Sequence, residues 1–200
     1  MATTDPALRE RLLEAAYACV ARFGLAKTTV EDVVKESGLS RATVYRVFPG
    51  GKDELLAAVV GWEMGRFFGR LAEAVAGAAD FAGLIEDGLG FAHGAVREHE
   101  VLQKILVTEP ERLLPLMITE QERPLRFITA FLGPYLEREE REGRLRAGVD
   151  QARAAEFVAR MLLSLISSPA SWDLDDPEAV RRLVREDLLA GVLTDAALAR

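Results

Sequence analysis

"TTVEDVVKESGLSRATVYRVFPGGKDEL", residues 28–55, decides how this chain is read. Thr28 and Thr29 offer helix N-caps, with Glu31 or Asp32 three residues on as the capping-box partner. Val30, Val33 and Val34 give that helix one apolar face, and "SGLS" ends it. Gly38 suits a left-handed turn position, where a Cβ is costly. Ser40 caps a second helix, "RATVYRVF", whose Val44, Val47 and Phe48 turn inward. Pro49-Gly50-Gly51 then breaks the chain before a long amphipathic stretch, "KDELLAAVVGWEMGRFFGRLAEAV". Two short helices across a glycine turn, the second polar on its outer face, have the form of a helix–turn–helix. In that motif the second helix enters the major groove and the first braces it across the phosphates.

Upstream, Leu12, Leu13, Ala16, Val20 and Phe23 make an i, i+3/i+4 stripe that Gly24 stops. Downstream, helical periods run over 82–99, 100–107, 110–118, 120–142, 150–168 and 176–193, with no run of alternating β-branched residues. The fold class is all-α. The four glycines at 83, 88, 90 and 94 make the 82–99 helix weak by propensity. "EREERE" at 137–142 reads as a solvated helix face.

Charge is divided along the chain. The formal net charge is −7, yet Arg22, Lys27, Lys35, Arg41, Arg46 and Lys52 stand against only Glu31, Asp32 and Glu36 between residues 22 and 52. From Leu56 onward 17 basic residues face 24 acidic ones, so the acidity belongs to the C-terminal part. A small anion-facing module on an acidic body fits that split. The excess of three positive charges is nonetheless a small footprint for a duplex binder.

With Val44, Val47 and Phe48 inward, Ser40, Arg41, Ala42, Thr43, Tyr45 and Arg46 project outward or lie at the rim. Arg41, near the helix N-terminus, has the geometry to pair with the two acceptors of a guanine. Ala42 and the Thr43 methyl suit a thymine methyl, and Tyr45 has the reach for a phosphate. Lys52 falls just before a helix start, where its charge and unpaired backbone N–H groups favour an anion together. Thr28 or Thr29 has similar access at the start of the bracing helix.

The paired threonines, the "SGLS" turn, the T-V-Y of the second helix and the "FPGGKDEL" exit, preceded by "ARFG", closely resemble the DNA-binding domain of tetracycline-repressor-like (TetR-family) bacterial regulators. The resemblance spans residues 8–56. It implies that Thr43, Tyr45 and Lys52 contact DNA and that Arg41 and Ala42 read bases. The Gly50-Gly51 pair departs from the single residue that many members carry before the lysine. By the same resemblance, residues 1–52 form the DNA-binding domain. Residues 53–200 then form a helical effector-binding and dimerisation domain that pairs through its last two long helices.

For an apolar effector, the candidate contacts are Trp62, Met64, Phe67, Phe68, Phe91, Leu102, Met117, Phe127 and Phe131, although each would serve equally as core. "ARAAEFVARMLLSLISS" is apolar around too much of its circumference to leave a face in water. Phe157, Leu162, Leu163 and Ile166 there, with Val180, Leu183, Val184 and Leu188 of the last helix, are expected at a twofold interface. Burial inside one chain would account for the same pattern.

Other functions find less support. The chain has no G-x-S-x-G and no P-loop, and "GLGFAHG" at 88–94 follows no strand. His93 and His99 are the only histidines, six apart and on different helix faces, and Cys19 is the only cysteine and reads as a core residue. Neither a cofactor nor a metal is implied. With no apolar run of membrane length and no signal-like N-terminus, a cytoplasmic protein is expected. The expectation is a homodimeric regulator binding operator DNA and a small apolar effector, acting as a repressor. The alternatives are a constitutive or architectural DNA binder with a filled body, and a ligand-binding or enzymatic helical protein that uses the body alone.

Overall fold

The computed structural model describes residues 5–112 and 122–199, in two compact units. The first unit takes in the described residues of Met1–Gly69 and His99–Thr119, the second those of Arg70–Glu98 and Glu120–Arg200. Among the described residues there is no strand, only an isolated antiparallel bridge between Leu145 and Leu193. No described helix is long and apolar enough to cross a membrane.

In the first unit α1 (Pro6–Lys27) opens at Asp5, whose carboxylate accepts the Ala7 N–H, with Pro6 at the first helical position. Leu12, Leu13, Ala16 and Val20 are buried as the period requires. Phe23 is not: it is 39% exposed, with the Arg22 guanidinium 5.5 Å over its ring. The cause is Gly24, whose φ of 84° and ψ of 173° break the helix and swing Leu25 into the buried place instead. The helix resumes for one turn, so the glycine kinks α1 before it ends.

Helix α2 (Val30–Ser37) starts at a complete capping box. Asp32 N–H donates to the Thr29 hydroxyl at 3.2 Å and Thr29 N–H to the Asp32 carboxylate at 3.0 Å. Such a cap contributes about 1 kcal/mol. Gly38 closes the helix in the left-handed region, at φ 66° and ψ 18°. Ser40 then caps α3 (Arg41–Val47), whose Val44, together with Phe48 just beyond, packs into a core with Leu12, Leu13, Ala16, Val33 and Leu55. Val47 is half-buried against that core. Cys19 lies within it, and burial pushes its thiol up from the ordinary range, so it stays protonated and unreactive.

The long α4 (Gly51–Val75) begins in the first unit and continues into the second. Helix α6 (Glu100–Thr108) returns to the first unit, where Ile105 packs with Val20, Leu25 and Leu56. The second unit holds α5 (Phe81–Arg97), α7 (Glu122–Arg141), α8 (Gln151–Ser167), α9 (Pro177–Arg182) and the short α10 (Asp195–Leu198). Despite its glycines α5 is a full helix, because Phe81, Leu84, Ile85 and Leu89 bury one face against α8 and α9. Packing here overrides propensity. The 110–118 segment lies outside the described residues for most of its length.

Two further expectations are corrected. The apolar period at 176–193 is not one α-helix: Leu183–Leu188 winds as a π-helix, with Leu189 N–H bonded to Val184 C=O at 2.9 Å. The "EREERE" face is not wholly solvated either. Glu139 is 3% exposed and held by both sides of the Arg144 guanidinium, at 2.5 and 2.7 Å. That pair fixes the 143–150 turn, whose Arg144 carbonyl also accepts Thr194 N–H at 2.8 Å.

Candidate nucleic-acid interface

Helix α3 divides its residues as a groove-reading helix must. Val44 is buried, while Ser40, Arg41, Ala42, Tyr45 and Arg46 are exposed and Thr43 is half-buried. At its start the Ser40 hydroxyl accepts Thr43 N–H at 3.1 Å and lies 2.9 Å from the Thr43 hydroxyl. Arg41 is not loose. Its Nη1 is hydrogen-bonded to Glu31 of α2, and its guanidinium stands 5.5 Å over the Tyr45 ring. The hydrogen bond to Tyr45, and then the charge of Glu31, hold Arg41 above its ordinary arginine value. Gly51 explains how Tyr45 fits: its φ is 68°, and a Cβ there would come 3.3 Å from the tyrosine ring.

The threonines separate. Thr29 is exposed at the start of α2, beside its capping partner Asp32. Thr28 is 2% exposed and donates its hydroxyl to Gly24 C=O at 2.6 Å. It therefore fastens the end of α1 and does not present a side chain to phosphate. Lys52 sits within the first turn of α4, since that helix already begins at Gly51, and its Nζ donates to Ala26 C=O at 2.8 Å. Of the six basic residues in this stretch, Arg22 and Arg41 are neutralised by Glu36 and Glu31, while Lys27, Lys35 and Arg46 stay exposed.

The kink at Gly24 is closed by charged side chains from α4 and α6. A regular helix would bond Ala26 N–H to Arg22 C=O, and Gly24 prevents it. The Ala26 N–H goes instead to Glu109 at 2.6 Å, and Lys104 Nζ caps the freed carbonyls of Ala21 and Arg22 at 2.9 and 3.4 Å. A Cβ at Gly24 would overlap the Glu109 carboxylate. No pattern near residue 24 announces this clasp, because both partners lie some 80 residues away. The Glu31–Arg41 pair was likewise missed, although an acid in the first turn of α2 facing the first residue of α3 was the signal for it.

The residues expected to hold an effector fall into both units. In the first, Trp62 packs edge-on to Tyr17 at 6.1 Å with Arg66 4.8 Å over its ring, Phe67 and Phe68 meet at 5.3 Å, and Leu102 joins the Ile105 cluster. Met64 is half-buried. In the second, Phe127 and Phe131 stack at 6.5 Å and Phe91 is half-buried on α5. Met117 lies outside the described residues. Two open grooves occur in the second unit, of about 550 Å³ beside Arg181, Arg182 and Arg185 and about 400 Å³ beside Asp150, Arg153 and Phe157. None of the expected effector residues lines either. His93 lies 3.7 Å from Asp175, and His99 N-caps α6 through Nδ1, so each histidine has a structural partner.

The expected interface residues also divide. Leu162, Val180, Leu183, Val184 and Leu188 are buried within the single chain. The π-turn helps to keep the last three facing inward, leaving Arg181, Arg182, Glu186 and Asp187 outside. On α8, Phe157 is 48% exposed, Leu163 and Ile166 are half-buried, and Met161, which was not singled out, is 37% exposed one turn beyond Phe157.

Residues 12–59 match the family model of the bacterial regulatory proteins, tetR family. No curated protein matches the chain. Among solved structures, a TetR-family transcriptional regulator of Mesorhizobium loti superposes with a TM-score of 0.68 at 17% identity, covering 96% of this chain and all of the other. A TetR transcription regulator of Haloarcula marismortui gives 0.64 at 18%, covering 95% and 100%. SmeT of Stenotrophomonas maltophilia, in its triclosan complex, gives 0.59 at 24%, covering 96% and 94%. At these identities the likeness establishes the fold.

Proposed function

We propose that the chain is a DNA-binding regulator of the tetR family, whose family model matches residues 12–59, and that it is a homodimeric repressor released from its operator by a small apolar molecule. The observation that carries the reading is α3 itself. It is capped, anchored through Val44 and Phe48, and left with Arg41, Ala42, Thr43, Tyr45 and Arg46 on its outer side. Residues 1–52 supply the DNA contacts, with Thr29 and Lys52 at the phosphates, and residues 53–200 supply dimerisation and effector binding. The face of α8 bearing Phe157, Met161, Leu163 and Ile166 pairs with a second copy.

Release acts through α4. Trp62, Met64, Phe67 and Phe68 lie on the helix whose first turn also carries Lys52. A ligand packing on those side chains tilts α4 and changes the separation of the two recognition helices, which the duplex fixes. A tenfold loss of operator affinity needs about 1.4 kcal/mol of coupling, and DNA then weakens the ligand by the same factor. SmeT, solved with triclosan and described as the repressor of a multidrug efflux pump, supports this reading as an example of the same fold in that role.

The test selects bound duplexes from a random pool, then titrates the selected complex with apolar compounds, triclosan first. Release from a pseudo-palindromic site is the expected outcome. A site that stays bound while a compound fills the body instead supports a constitutive DNA binder.

A further inference from the structure

We propose that Glu31 is a specificity-determining residue for DNA recognition: it positions the Arg41 guanidinium to read a single guanine. The inference rests on the operator-binding reading and adds a residue to it.

Glu31 lies in the first turn of α2, where an acid is usually explained by the helix dipole. Here the neighbouring Asp32 already closes the capping box with Thr29. The Glu31 carboxylate instead reaches across the turn to Nη1 of Arg41, the first residue of α3. Tyr45, one turn on, places its ring under the same guanidinium at 5.5 Å. Arg41 is thus held on two sides while its side chain remains 64% exposed.

An exposed arginine ordinarily samples many rotamers, and ordering it on binding costs entropy. One carboxylate contact leaves donors on the guanidinium for the O6 and N7 acceptors of a guanine. A carboxylate is a poor neighbour for DNA, because it repels phosphate. Its presence on the face that α3 presents is therefore a cost in non-specific affinity, offset by the aim it gives Arg41. That trade predicts opposite signs for the two kinds of binding when the charge is removed.

Full-length wild type, Glu31→Gln, Glu31→Asp and Arg41→Ala are each put through selection from the random duplex pool. Their affinities for a duplex of unrelated sequence are measured alongside. In Glu31→Gln the preference for guanine at one base pair of each half-site should fall about tenfold, within the range of one bidentate arginine–guanine pair. Every other position should keep its preference, and affinity for the unrelated duplex should rise. Glu31→Asp, one methylene shorter, should lose the same preference without that rise. Arg41→Ala should lose it altogether. Guanine preference kept in Glu31→Gln but lost in Arg41→Ala overturns the role of Glu31 and leaves DNA reading intact. Equal loss at all positions, with a lowered melting temperature, makes Glu31 a merely structural residue. A wild type that enriches no sequence overturns the operator reading and this role together.

Discussion

Helices α3 and α9 both carry an apolar stripe at helical spacing, and the chain uses the two stripes alike but exposes very different surfaces. In α3 the stripe is spent on the core and the outer side holds side chains that pair with one another, Ser40 with Thr43 and Arg41 with Glu31 and Tyr45. In α9 and its π-turn the stripe is also spent on the core, through contacts with α5, and the outer side is an unspecialised mixture of Arg181, Arg182, Glu186 and Asp187. Of the apolar residues expected at an interface on α8 and the last helix, those left at least partly exposed, Phe157, Leu163 and Ile166, all lie on α8. An apolar stripe says that a face will be covered. It does not say whether the same chain or another covers it.

The sharpest break of that comparison places one charge on each of the last two helices. Leu188 is 4% exposed and has no partner for a charge, so Leu188→Glu should lower the unfolding free energy by about 3–5 kcal/mol. Phe157→Glu changes a half-exposed residue and should stay within about 0.5 kcal/mol of wild type in monomer stability. Its effect should appear in sedimentation instead, as monomers at micromolar concentration with weakened operator binding. Folded monomers from Leu188→Glu, or stable dimers from Phe157→Glu, would return the interface to α9.

The next effect separates local from distant closure in the first unit. Gly24 occupies a backbone region that residues with a Cβ avoid, and Glu109 fills the space a Cβ would take. Gly24→Ala should therefore cost more than about 1 kcal/mol by thermal melting. Gly24→Ala with Glu109→Ala should recover the overlap but not the backbone strain. If the double variant is as unstable as the single, the clasp from α6 contributes nothing and only the kink matters.

This contrast also explains what was legible in the residues alone. The capping box, the left-handed Gly38 and the inward Val44 and Phe48 all have their partners within a short stretch, so propensity and spacing point to them. Thr28 and Thr29 could not be told apart, since both can cap, and only the kink at Gly24 gives Thr28 a buried acceptor. Lys104 and Glu109 reach α1 across 83 residues, a separation over which spacing carries no signal. Glu139 looked solvated because every residue in "EREERE" is charged, and its Arg144 partner lies beyond the helix end. The burial of the apolar residues of α9 was hidden for a similar reason: they cover α5, an element far earlier in the chain.

The smallest effect tests whether the local closure of α2 stands on its own. Thr29 and Asp32 satisfy each other, and the Thr29 hydroxyl, followed by its backbone N–H, holds the Asp32 carboxyl below its ordinary value. A carboxyl with a folded value below its unfolded one stabilises the fold above the unfolded value. That contribution is lost as pH falls through the folded value. Thr29→Ala should cost about 1 kcal/mol near neutral pH, the usual worth of an N-cap. In Asp32→Asn the stability difference from wild type should be full at neutral pH and shrink as acid protonates Asp32 in the wild type, below the ordinary aspartate range. Denaturant midpoints of the two proteins, measured from pH 7 to pH 2 at fixed salt, should converge at the acid end. Parallel curves over the whole range would show that Asp32 serves α2 without its charge, and that the box at the start of the bracing helix is held by hydrogen-bond geometry alone.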